Sequence, residues 1–435
     1  MTTNYYDIVI IGGGPAGTGL LLKALKDGPG SKLFQLRIAL IEKSDHLIKG
    51  VLTDYKINSD TLSDVFLECL EGAAGSFLDF GNLKEEIETI QRFKGRAIPL
   101  NDIETYYNKL GKLVKETLTQ MNFCDFFMNS GAEKIVMKED GTYQVFLSGS
   151  GPVINTRQVV MATGGIPNAN CGNAEFFAGK IPLSHFAAKS IHSDHLMRHG
   201  IPPNLKTGLV KNPKVVILGG SHGGFSSAHI LLNSGEKVGF SASGIKIWST
   251  TLPKIYFSSK EEAAEHGYND FTADDICPVT GRVFRLAGLR MDGRQLYMQM
   301  VGLNGYTPEE RVRLNVFDDQ ENELLNDLSE AGLVILAFGY RFNMLPLFDK
   351  YNHPVKFAGT TTDHWVNEQC EMVDDNGAAI PGLFAMGLAT GFIPSGVLGG
   401  EPSFTGQTNG IWYYQNILAE QIINQLQGEN ITDRA

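Results

Sequence analysis

The feature that most constrains the fold of this chain is a glycine-rich turn near its amino terminus, which reads Gly12-Gly13-Gly14-Pro15-Ala16-Gly17. An apolar, β-branched segment at 6–11 precedes the turn, a helical pattern at 18–26 follows it, and a second buried strand at 37–41 ends in Glu42. In this context a G-x-G-x-x-G turn predicts a βαβ unit that binds a dinucleotide, with the pyrophosphate at the amino end of the helix. The residues that we predict to contact this dinucleotide are Gly12, Gly14, Pro15, Ala16, Gly17, Glu42 and Lys43.

Several of these positions have a distinct physical role. Gly12 permits the sharp turn after the strand, Gly14 lets the backbone approach the phosphates, and Gly17 lets helix and strand pack closely. The carboxylate of Glu42 is placed to accept hydrogen bonds from a ribose hydroxyl. The alternative, a packing turn without a ligand, is disfavoured because strand, turn, helix and terminal acid are all present.

A second strand, turn and helix repeat this pattern in the middle of the chain. An apolar strand at 214–218 leads into a glycine turn at 219–224, and a helical pattern follows at 225–233. Serine in the middle position of the turn is small enough for close backbone approach, so we predict a second nucleotide site. A structural repeat without a nucleotide stays open as the alternative. The predicted nucleotide-binding residues are Gly219, Gly220, Ser221, His222, Gly223 and Gly224.

The predicted second strand of this repeat, at 237–241, does not end in an acidic residue. An acid at that position favours a free ribose 2′-hydroxyl and hence NAD(H). Its absence therefore favours NADPH and leaves NADH as the alternative. Ser241, Ser243 and Lys246 are the candidate partners of a 2′-phosphate.

Two further glycine-containing segments indicate that the first dinucleotide is FAD. Residues 161–165 (Met-Ala-Thr-Gly-Gly) resemble the ATG segment of flavoproteins that bind two dinucleotides, and residues 380–387 resemble their PGLFAxG strand. In many reductases of that kind an aspartate follows this strand and binds the ribityl chain, whereas this chain has Leu388. A helix predicted at 405–425 would place its amino end near reduced flavin, where the helix dipole stabilises negative charge. An ordinary helix start with no role at the flavin is the alternative. The additional FAD-binding residues that the resemblance implies are Ala162, Thr163, Gly164, Gly387 and Gln407.

These features predict an α/β fold with two Rossmann-like dinucleotide-binding domains, in which the NAD(P) domain is inserted into a discontinuous FAD domain. We predict the FAD domain over 1–205 and 342–435 and the NAD(P) domain over 206–341, with an excursion at 249–303. The excursion is interpreted as structured surface, while a cover for the active site and a homodimer contact are its alternatives. Elsewhere the sequence predicts helices at 62–70 and 103–117 and strands at 132–137, 142–147, 153–157 and 158–162.

The order of motifs around the second glycine turn resembles that of flavin-containing monooxygenases and the related amine N-hydroxylases. The motifs are Phe-Ala-Gly-Lys at 177–180, Ser-Ile-His-Ser at 190–193, the turn itself, and Ala-Phe-Gly-Tyr-Arg at 337–341, which is similar to the A-T-G-Y-R segment of that family. The resemblance implies that NADPH reduces FAD and that oxygen adds to the reduced flavin as a C4a-(hydro)peroxide. It further implies that a small amine or sulfur nucleophile is oxygenated, so the partners are a small-molecule substrate and molecular oxygen.

Three residues are candidates for catalytic roles beside the flavin. His192 and Ser193 lie at the expected junction of the two domains, where they would face nicotinamide or flavin; an ordinary linker histidine is the alternative for His192. Asn58, with Tyr55 close by in the sequence, follows the second strand of the first unit, where this architecture brings the chain towards the isoalloxazine ring.

Composition limits the classes of partner. The net charge of -11 argues against nucleic acid or an anionic membrane surface, and no apolar run approaches the ~20 residues of a membrane-spanning helix. Five cysteines are scattered without a CxxC pair, which fits a reducing, cytoplasmic location and removes the redox-active disulfide of one class of reductase. No clustered metal-ligand pattern occurs in the sequence, so we predict no metal site.

Two other functions stay open from the sequence. One is an FAD-dependent NAD(P)H reductase or dehydrogenase that passes electrons to an organic acceptor without activating oxygen. The other is a redox-sensing flavoprotein in which FAD is bound and turnover is negligible.

Overall fold

The computed structural model describes residues 5–149, 151–168, 176–206, 212–233 and 238–426. Its strands, in chain order, are β1 (Tyr5–Ile11), β2 (Ile38–Ile41), β3 (Cys124–Phe127), β4 (Ala132–Met137), β5 (Tyr143–Leu147), β6 (Val153–Met161), β7 (Gly165–Pro167), β8 (Phe176–Phe177), β9 (Ile181–Pro182), β10 (Ser190–His192), β11 (Val215–Leu218), β12 (Ile245–Ser249), β13 (Val312–Val316), β14 (Leu333–Leu336), β15 (Tyr340–Phe342), β16 (Leu347–Phe348), β17 (Glu371–Val373) and β18 (Ala379–Ala385). Its α-helices are α1 (Pro15–Asp27), α2 (Lys84–Gln91), α3 (Glu104–Gln120), α4 (Ser193–His199), α5 (Pro203–Lys206), α6 (His222–Asn233), α7 (Lys260–Glu265), α8 (Met291–Val301), α9 (Glu321–Glu330), α10 (Gly359–Thr362), α11 (Ile411–Gln415) and α12 (Ile417–Gln425).

The first sheet runs in the order β16-β4-β5-β6-β1-β2-β3, and β18, paired with β17, joins it at the carboxyl end of β6. Strand β1 pairs in parallel with both β2 and β6. All of β2 and all but the first residue of β1 are buried. A parallel sheet that is covered on both faces needs such strands, which explains why they appear in the sequence as continuous apolar runs.

Strand β6 corrects one prediction from the sequence. Residues 153–157 and 158–162 were predicted as two strands, but they form one strand that changes partners along its length. Its first half, 153–156, pairs antiparallel with β5, and its last residues, 159–161, pair in parallel with β18.

The second sheet contains five parallel strands in the order β10-β14-β11-β12-β13. Two parallel-sheet cores with helices between their strands confirm the predicted α/β class with Rossmann-like units. The domain boundaries stay a prediction. The pairing shows that the chain already contributes to the second sheet at Ser190, before residue 206.

The two connections between the sheets lie side by side. Strand β7, which follows the first sheet, pairs antiparallel with β15, which follows the second. Both passages are therefore fixed to one another.

The second strand of the central repeat is misplaced in the sequence prediction. Residues 238–241 are not in a strand, and Lys237 lies outside the described residues. The strand that pairs with β11 is β12. A turn closed by the Gly244 N–H donating to the Ser241 carbonyl precedes β12. Residues 237–241 and β12 both alternate apolar and polar side chains in the sequence. Only the pairing of β12 with β11 distinguishes the two segments.

Two predicted helices are also different. Residues 62–70 form two short 3₁₀ turns, because the Phe66 carbonyl accepts a hydrogen bond from the Tyr106 hydroxyl instead of continuing an α-helix. The predicted helix at 405–425 begins at Ile411 and is broken at Asn416, whose backbone is not helical.

The excursion at 249–303 is not a detached surface segment. The buried carboxylate of Glu401 accepts hydrogen bonds of 2.8–3.0 Å from the backbone N–H groups of Leu286 and Ala287. The Ser403 hydroxyl also donates to Asp275. The excursion is thereby attached to the carboxyl-terminal part of the chain. Within the described ranges, no helix combines the length and apolar character that crossing a bilayer requires.

Candidate functional site

The first glycine turn has the geometry that its glycines require. Gly12 has a φ of +108°, and a Cβ atom built there would lie 2.3 Å from the Ala162 carbonyl oxygen. A Cβ atom on Gly17 would lie 1.9 Å from the Gly12 oxygen. Neither position accepts a side chain, because the turn, β6 and α1 are in direct backbone contact.

Gly14 differs from these two glycines because the space beside it is open. A Cβ atom there would meet nothing nearer than the Gly50 Cα at 3.6 Å. Helix α1 begins at Pro15, and no side chain caps its amino end. Gly387 also lies against the first turn of α1, because a Cβ atom built on it would be 3.2 Å from the Ala16 Cβ. The residues present fit an FAD pyrophosphate, which would take the open space and the free N–H groups of α1.

Glu42 is buried and already holds the turn. One carboxylate oxygen accepts a hydrogen bond of 2.6 Å from the Gly13 N–H, and the other accepts from the backbone N–H and the hydroxyl of Ser44, each at 2.8 Å. A ribose contact by Glu42 stays a prediction. Lys43 is exposed beside it, and its contact with FAD is likewise untested.

The ATG segment is fixed to the crossing strand that returns from the second sheet. The Thr163 hydroxyl donates to the Asn343 carbonyl at 2.7 Å, and the Asn343 N–H donates to the Gly164 carbonyl at 3.0 Å. The side chain of Leu388 packs against Gly165. Gln407 lies in a loop before α11, so the prediction that it opens the final helix is wrong.

The second glycine turn repeats the first closely. Gly219 has a φ of +115°, and its ideal Cβ position lies 2.3 Å from the Ala337 carbonyl oxygen. A Cβ on Gly224 would lie 2.0 Å from the Gly219 oxygen. Helix α6 begins at His222, and Ser221 is exposed immediately before it. The two turns have therefore the same backbone construction, and α6 presents its amino end as α1 does.

The position that Glu42 occupies in the first unit is taken by Ser249 in the second. The ideal Cβ position of Gly220 lies 2.3 Å from the Ser249 hydroxyl oxygen. The phosphate partners predicted earlier are placed differently: Ser241 and Ser243 lie before β12, and Lys246 donates at 2.5 Å to the buried Asp327. The correction follows from the placement of β12, whose carboxyl end is at Ser249.

The three catalytic candidates lie in two places: His192 and Ser193 at the start of α4, and Asn58 beside α8. Ser193 is buried with its hydroxyl oxygen 3.3 Å from the ideal Cβ position of Gly223, and His192 is half-buried just before it. Asn58 donates a hydrogen bond of 2.8 Å to Asp292 at the start of α8. Their catalytic roles stay predictions.

Three side chains that the sequence did not bring together form a cluster between these segments. The hydroxyls of Tyr55 and Tyr340 both donate to one oxygen of Asp194, at 2.5 and 2.9 Å, and lie 3.0 Å from each other. Arg198 donates to Asp54 at 2.8 Å beside the cluster. Burial, followed by the hydrogen bond to Asp194, raises the pKa of Tyr55 above its ordinary value. Burial, followed by the charge of Tyr55, raises the pKa of Tyr340. Both tyrosines are therefore hydrogen-bond donors at neutral pH.

A second group of polar residues lies where the loop after β2 faces α6 and α8. Asp60 faces open space, yet protein surrounds it closely enough that desolvation raises its pKa, against the charges of His222 and Arg290. Asn58, two residues before Asp60, donates a hydrogen bond to Asp292 at the start of α8, which brings this loop against that helix. We call the space that Asp60 faces the charged cleft; the polar side chains around it are Asn58, Asp60, His222, Tyr256, Arg290 and Asp292.

Comparison with known proteins decides the family. Residues 6–238, more than half of the chain, match the pyridine nucleotide-disulphide oxidoreductase family. The chain belongs to this family. It is accordingly an FAD-dependent oxidoreductase that uses a pyridine nucleotide. Its two glycine turns have matching backbone construction, and the assignment of one dinucleotide to each turn stays a prediction.

Individual relatives are similar over nearly the whole length. A CMP-5′-(3-aminopropyl)phosphonate hydroxylase of Streptomyces rubellomurinus is 27% identical over 99% of each sequence. Among solved structures, an FAD-bound cadaverine monooxygenase of Erwinia amylovora has a TM-score of 0.54 at 13% identity, over 97% of this chain and 95% of that one. An ornithine hydroxylase of Pseudomonas aeruginosa has a TM-score of 0.51 at 14% identity, over 97% and 98%. These structures share the fold.

The cysteines of this oxidoreductase do not form a redox pair in the described part of the chain. Cys69, Cys124, Cys277 and Cys370 are all free and buried, and Cys171 lies outside the described residues. The sequence contains no CxxC pair, so this enzyme has no cysteines of that kind that could pass electrons to a disulfide.

Proposed function

We propose that this oxidoreductase is an NADPH-using monooxygenase that transfers one atom of molecular oxygen to the nitrogen of a small amine substrate, with a sulfur nucleophile as the alternative. The observation that carries the proposal is the second glycine turn, which has kept the backbone construction of the first and lies beside Ser193. A chain with two such turns and no CxxC pair is suited to passing electrons from one bound nucleotide to the other.

FAD bound at the first turn supplies the hydride acceptor and the site of oxygen activation. The protein's part is to bind, orient and exclude water. The backbone beside Gly14 and the amino end of α1 would hold the FAD pyrophosphate, while Ser221 and the amino end of α6 would hold that of NADPH. Ser193, which lies against Gly223 of the second turn, and Asn58, which is bound to Asp292, would position the nicotinamide and the substrate.

The choice of NADPH rests on Ser249. An acid at the end of β12 would accept from the ribose 2′-hydroxyl of NADH and repel a 2′-phosphate, as described for Rossmann units. Serine offers a small hydroxyl instead, and Thr250 and Thr251 follow it as exposed donors. A 2′-phosphate therefore meets hydrogen-bond donors and no carboxylate at this position.

The choice of an amine substrate is supported by the hydroxylase relative, whose substrate carries an aminopropyl group and which matches this chain from end to end. The charged cleft adds a carboxylate, Asp60, that is suited to a positively charged amine.

The decisive experiment measures where the electrons and the oxygen go. The FAD-loaded enzyme is supplied with NADPH, ¹⁸O₂ and 3-aminopropylphosphonate or its CMP ester, and product is analysed by mass spectrometry. We expect one ¹⁸O atom in the amine product for each NADPH consumed, and little hydrogen peroxide. NADPH consumption with no labelled product, but with reduction of an added quinone, would replace this proposal by the reductase function. If neither NADPH nor NADH reduces the flavin, the redox-sensing alternative would be favoured.

A further inference from the structure

Arg290 is held in a fixed orientation in the charged cleft. Its guanidinium carbon lies 4.3 Å from the centre of the Tyr256 ring, and its Nη2 atom donates to the Arg285 carbonyl at 2.5 Å. The backbone around it is equally fixed, since the Tyr256 N–H donates to the Leu289 carbonyl at 3.1 Å. The side chain is therefore oriented before any ligand binds, which reduces the entropy lost on binding.

The charge of Arg290 has no partner of opposite sign at contact distance. Among the described residues, no carboxylate lies within ion-pair distance of it, and its Nε and Nη1 atoms donate no hydrogen bond. Desolvation, and then the neighbouring Arg282, lowers the pKa of the guanidinium. A half-buried cation without a counter-ion is costly for a protein unless a ligand supplies the anion.

Asp60 complements Arg290 within the same cleft. Its carboxylate faces open space and accepts no hydrogen bond from any residue that the structure describes. By contrast, the neighbouring Asp292 is already engaged by Asn58 at 2.8 Å and by His229 at 3.5 Å. The cleft thus presents a carboxyl group and a guanidinium that are close enough to influence each other's charge without touching. A bound ammonium would favour the ionised form of Asp60.

We propose that the charged cleft binds a substrate that carries both an amine and a phosphonate or phosphate group, with Arg290 holding the anion and Asp60 the ammonium. The inference rests on the proposed amine oxygenation and adds the chemical class of the substrate. A planar guanidinium with an unoccupied edge forms paired hydrogen bonds with tetrahedral phosphoryl oxygens, and Tyr256 fixes the plane in which they lie. Since Arg290 and Tyr256 belong to the excursion at 249–303, that segment gives the enzyme its substrate specificity.

The test is equilibrium binding to the oxidised, FAD-loaded enzyme by isothermal titration calorimetry, with 3-aminopropylphosphonate, its CMP ester and propylamine as probes. We expect Arg290→Gln to weaken binding of both phosphonates on the order of 50-fold and to leave that of propylamine within twofold. Arg290→Lys restores part of the affinity. Asp60→Asn weakens all three amines on the order of tenfold. The control Arg313→Gln removes an exposed arginine elsewhere and changes none of them.

Several outcomes would overturn the proposal. They are no measurable binding of either phosphonate to the unsubstituted enzyme, equal weakening of propylamine by Arg290→Gln, and weaker NADPH binding with unchanged phosphonate binding, which would assign Arg290 to the nucleotide. Tight binding of the CMP ester but not of the free phosphonate would identify the nucleotide-linked form as the source of the anion and supports the proposal. Because binding needs no turnover, an enzyme that binds phosphonates through Arg290 but oxygenates no amine would refute the proposed function and leave this inference standing.

Discussion

The hydroxyl of Tyr55 donates a 2.5 Å hydrogen bond to the carboxylate of Asp194, across the space between the two sheets. Tyr340, in the strand that crosses back to the first sheet, donates to the same oxygen at 2.9 Å. Three segments that are distant in sequence are thus connected at one oxygen atom. This cluster fixes the loop after β2, the start of α4 and the crossing strand in one arrangement, and so fixes how Ser193 faces the rest of the site.

We expect Tyr55→Phe and Tyr340→Phe each to lower the free energy of unfolding by about 1–2 kcal/mol, because each removes one hydrogen bond to a carboxylate. The double variant should lose more than the sum of the two, by about 0.5–1 kcal/mol, since it leaves that Asp194 oxygen without either donor. Urea denaturation of the four proteins of this cycle measures the difference. Strict additivity would mean that the two hydroxyls act independently.

The sequence predicted the local features well and the long-range ones poorly. The two glycine turns could be located because strand, turn and helix are consecutive, and Gly12 and Gly219 indeed have positive φ. The Tyr55–Asp194–Tyr340 cluster could not, because its bonds join residues 139 and 146 positions apart. Two signals were available: Tyr340, which lies in the segment similar to A-T-G-Y-R, and Tyr55, which lies close to the candidate Asn58 in the sequence. Neither indicated Asp194 as the shared partner.

The misplaced strand of the second unit had a similar cause. Residues 237–241 and β12 both alternate apolar and polar side chains, and the choice between them depends on pairing with β11. Once β12 was misplaced, Ser249 could not be recognised as the counterpart of Glu42. The conclusion about the missing acid survives, because Ser249 is no more acidic than the residue first considered.

Gly14→Val tests the FAD site without disturbing the fold. The space beside Gly14 is open, so the variant should fold, but its side chain would occupy the place of the pyrophosphate. We expect a colourless protein whose stability matches that of the unsubstituted protein after removal of FAD, as judged by absorbance near 450 nm and thermal unfolding.

Two other glycines are matched comparisons for this experiment. Gly30→Val should retain FAD fully, since no atom lies within 4 Å of its ideal Cβ position. Gly17→Val should fail to fold, because its Cβ would lie 1.9 Å from the Gly12 oxygen. A yellow, active Gly14→Val protein would refute the assignment of FAD to this turn.

Ser249→Glu should shift the nucleotide preference towards NADH. A carboxylate at this position would repel the 2′-phosphate of NADPH and accept a hydrogen bond from the 2′-hydroxyl of NADH. We expect the ratio of kcat/KM for NADPH to that for NADH to fall by about 50-fold, equivalent to roughly 2.3 kcal/mol, in stopped-flow flavin reduction. The neutral, isosteric Ser249→Gln variant separates charge from size and should change the ratio much less. If Ser249→Glu and Ser249→Gln gave the same NADPH-to-NADH ratio of kcat/KM, the charge at this position would have no effect, and the 2′-phosphate would have to bind elsewhere.

Cys277 should make the stability of the protein depend on pH. Burial by itself raises the pKa of this thiol, but hydrogen bonds from Thr280, the Gly400 N–H and Arg285 outweigh it and lower the pKa to about 6. Because the folded-state pKa lies below the unfolded value of about 8.5, the thiolate stabilises the folded state fully above that unfolded value and loses its effect as the pH falls through 6. The midpoint of thermal unfolding of Cys277→Ser should therefore fall increasingly below that of the unsubstituted protein as the pH rises from 6 to 8.5.

Cys69→Ser is the matched control: burial raises the pKa of Cys69 to about 11, so the effect of this substitution should stay constant over that range. A constant difference for Cys277→Ser as well would mean that Cys277 is a neutral thiol in the folded protein.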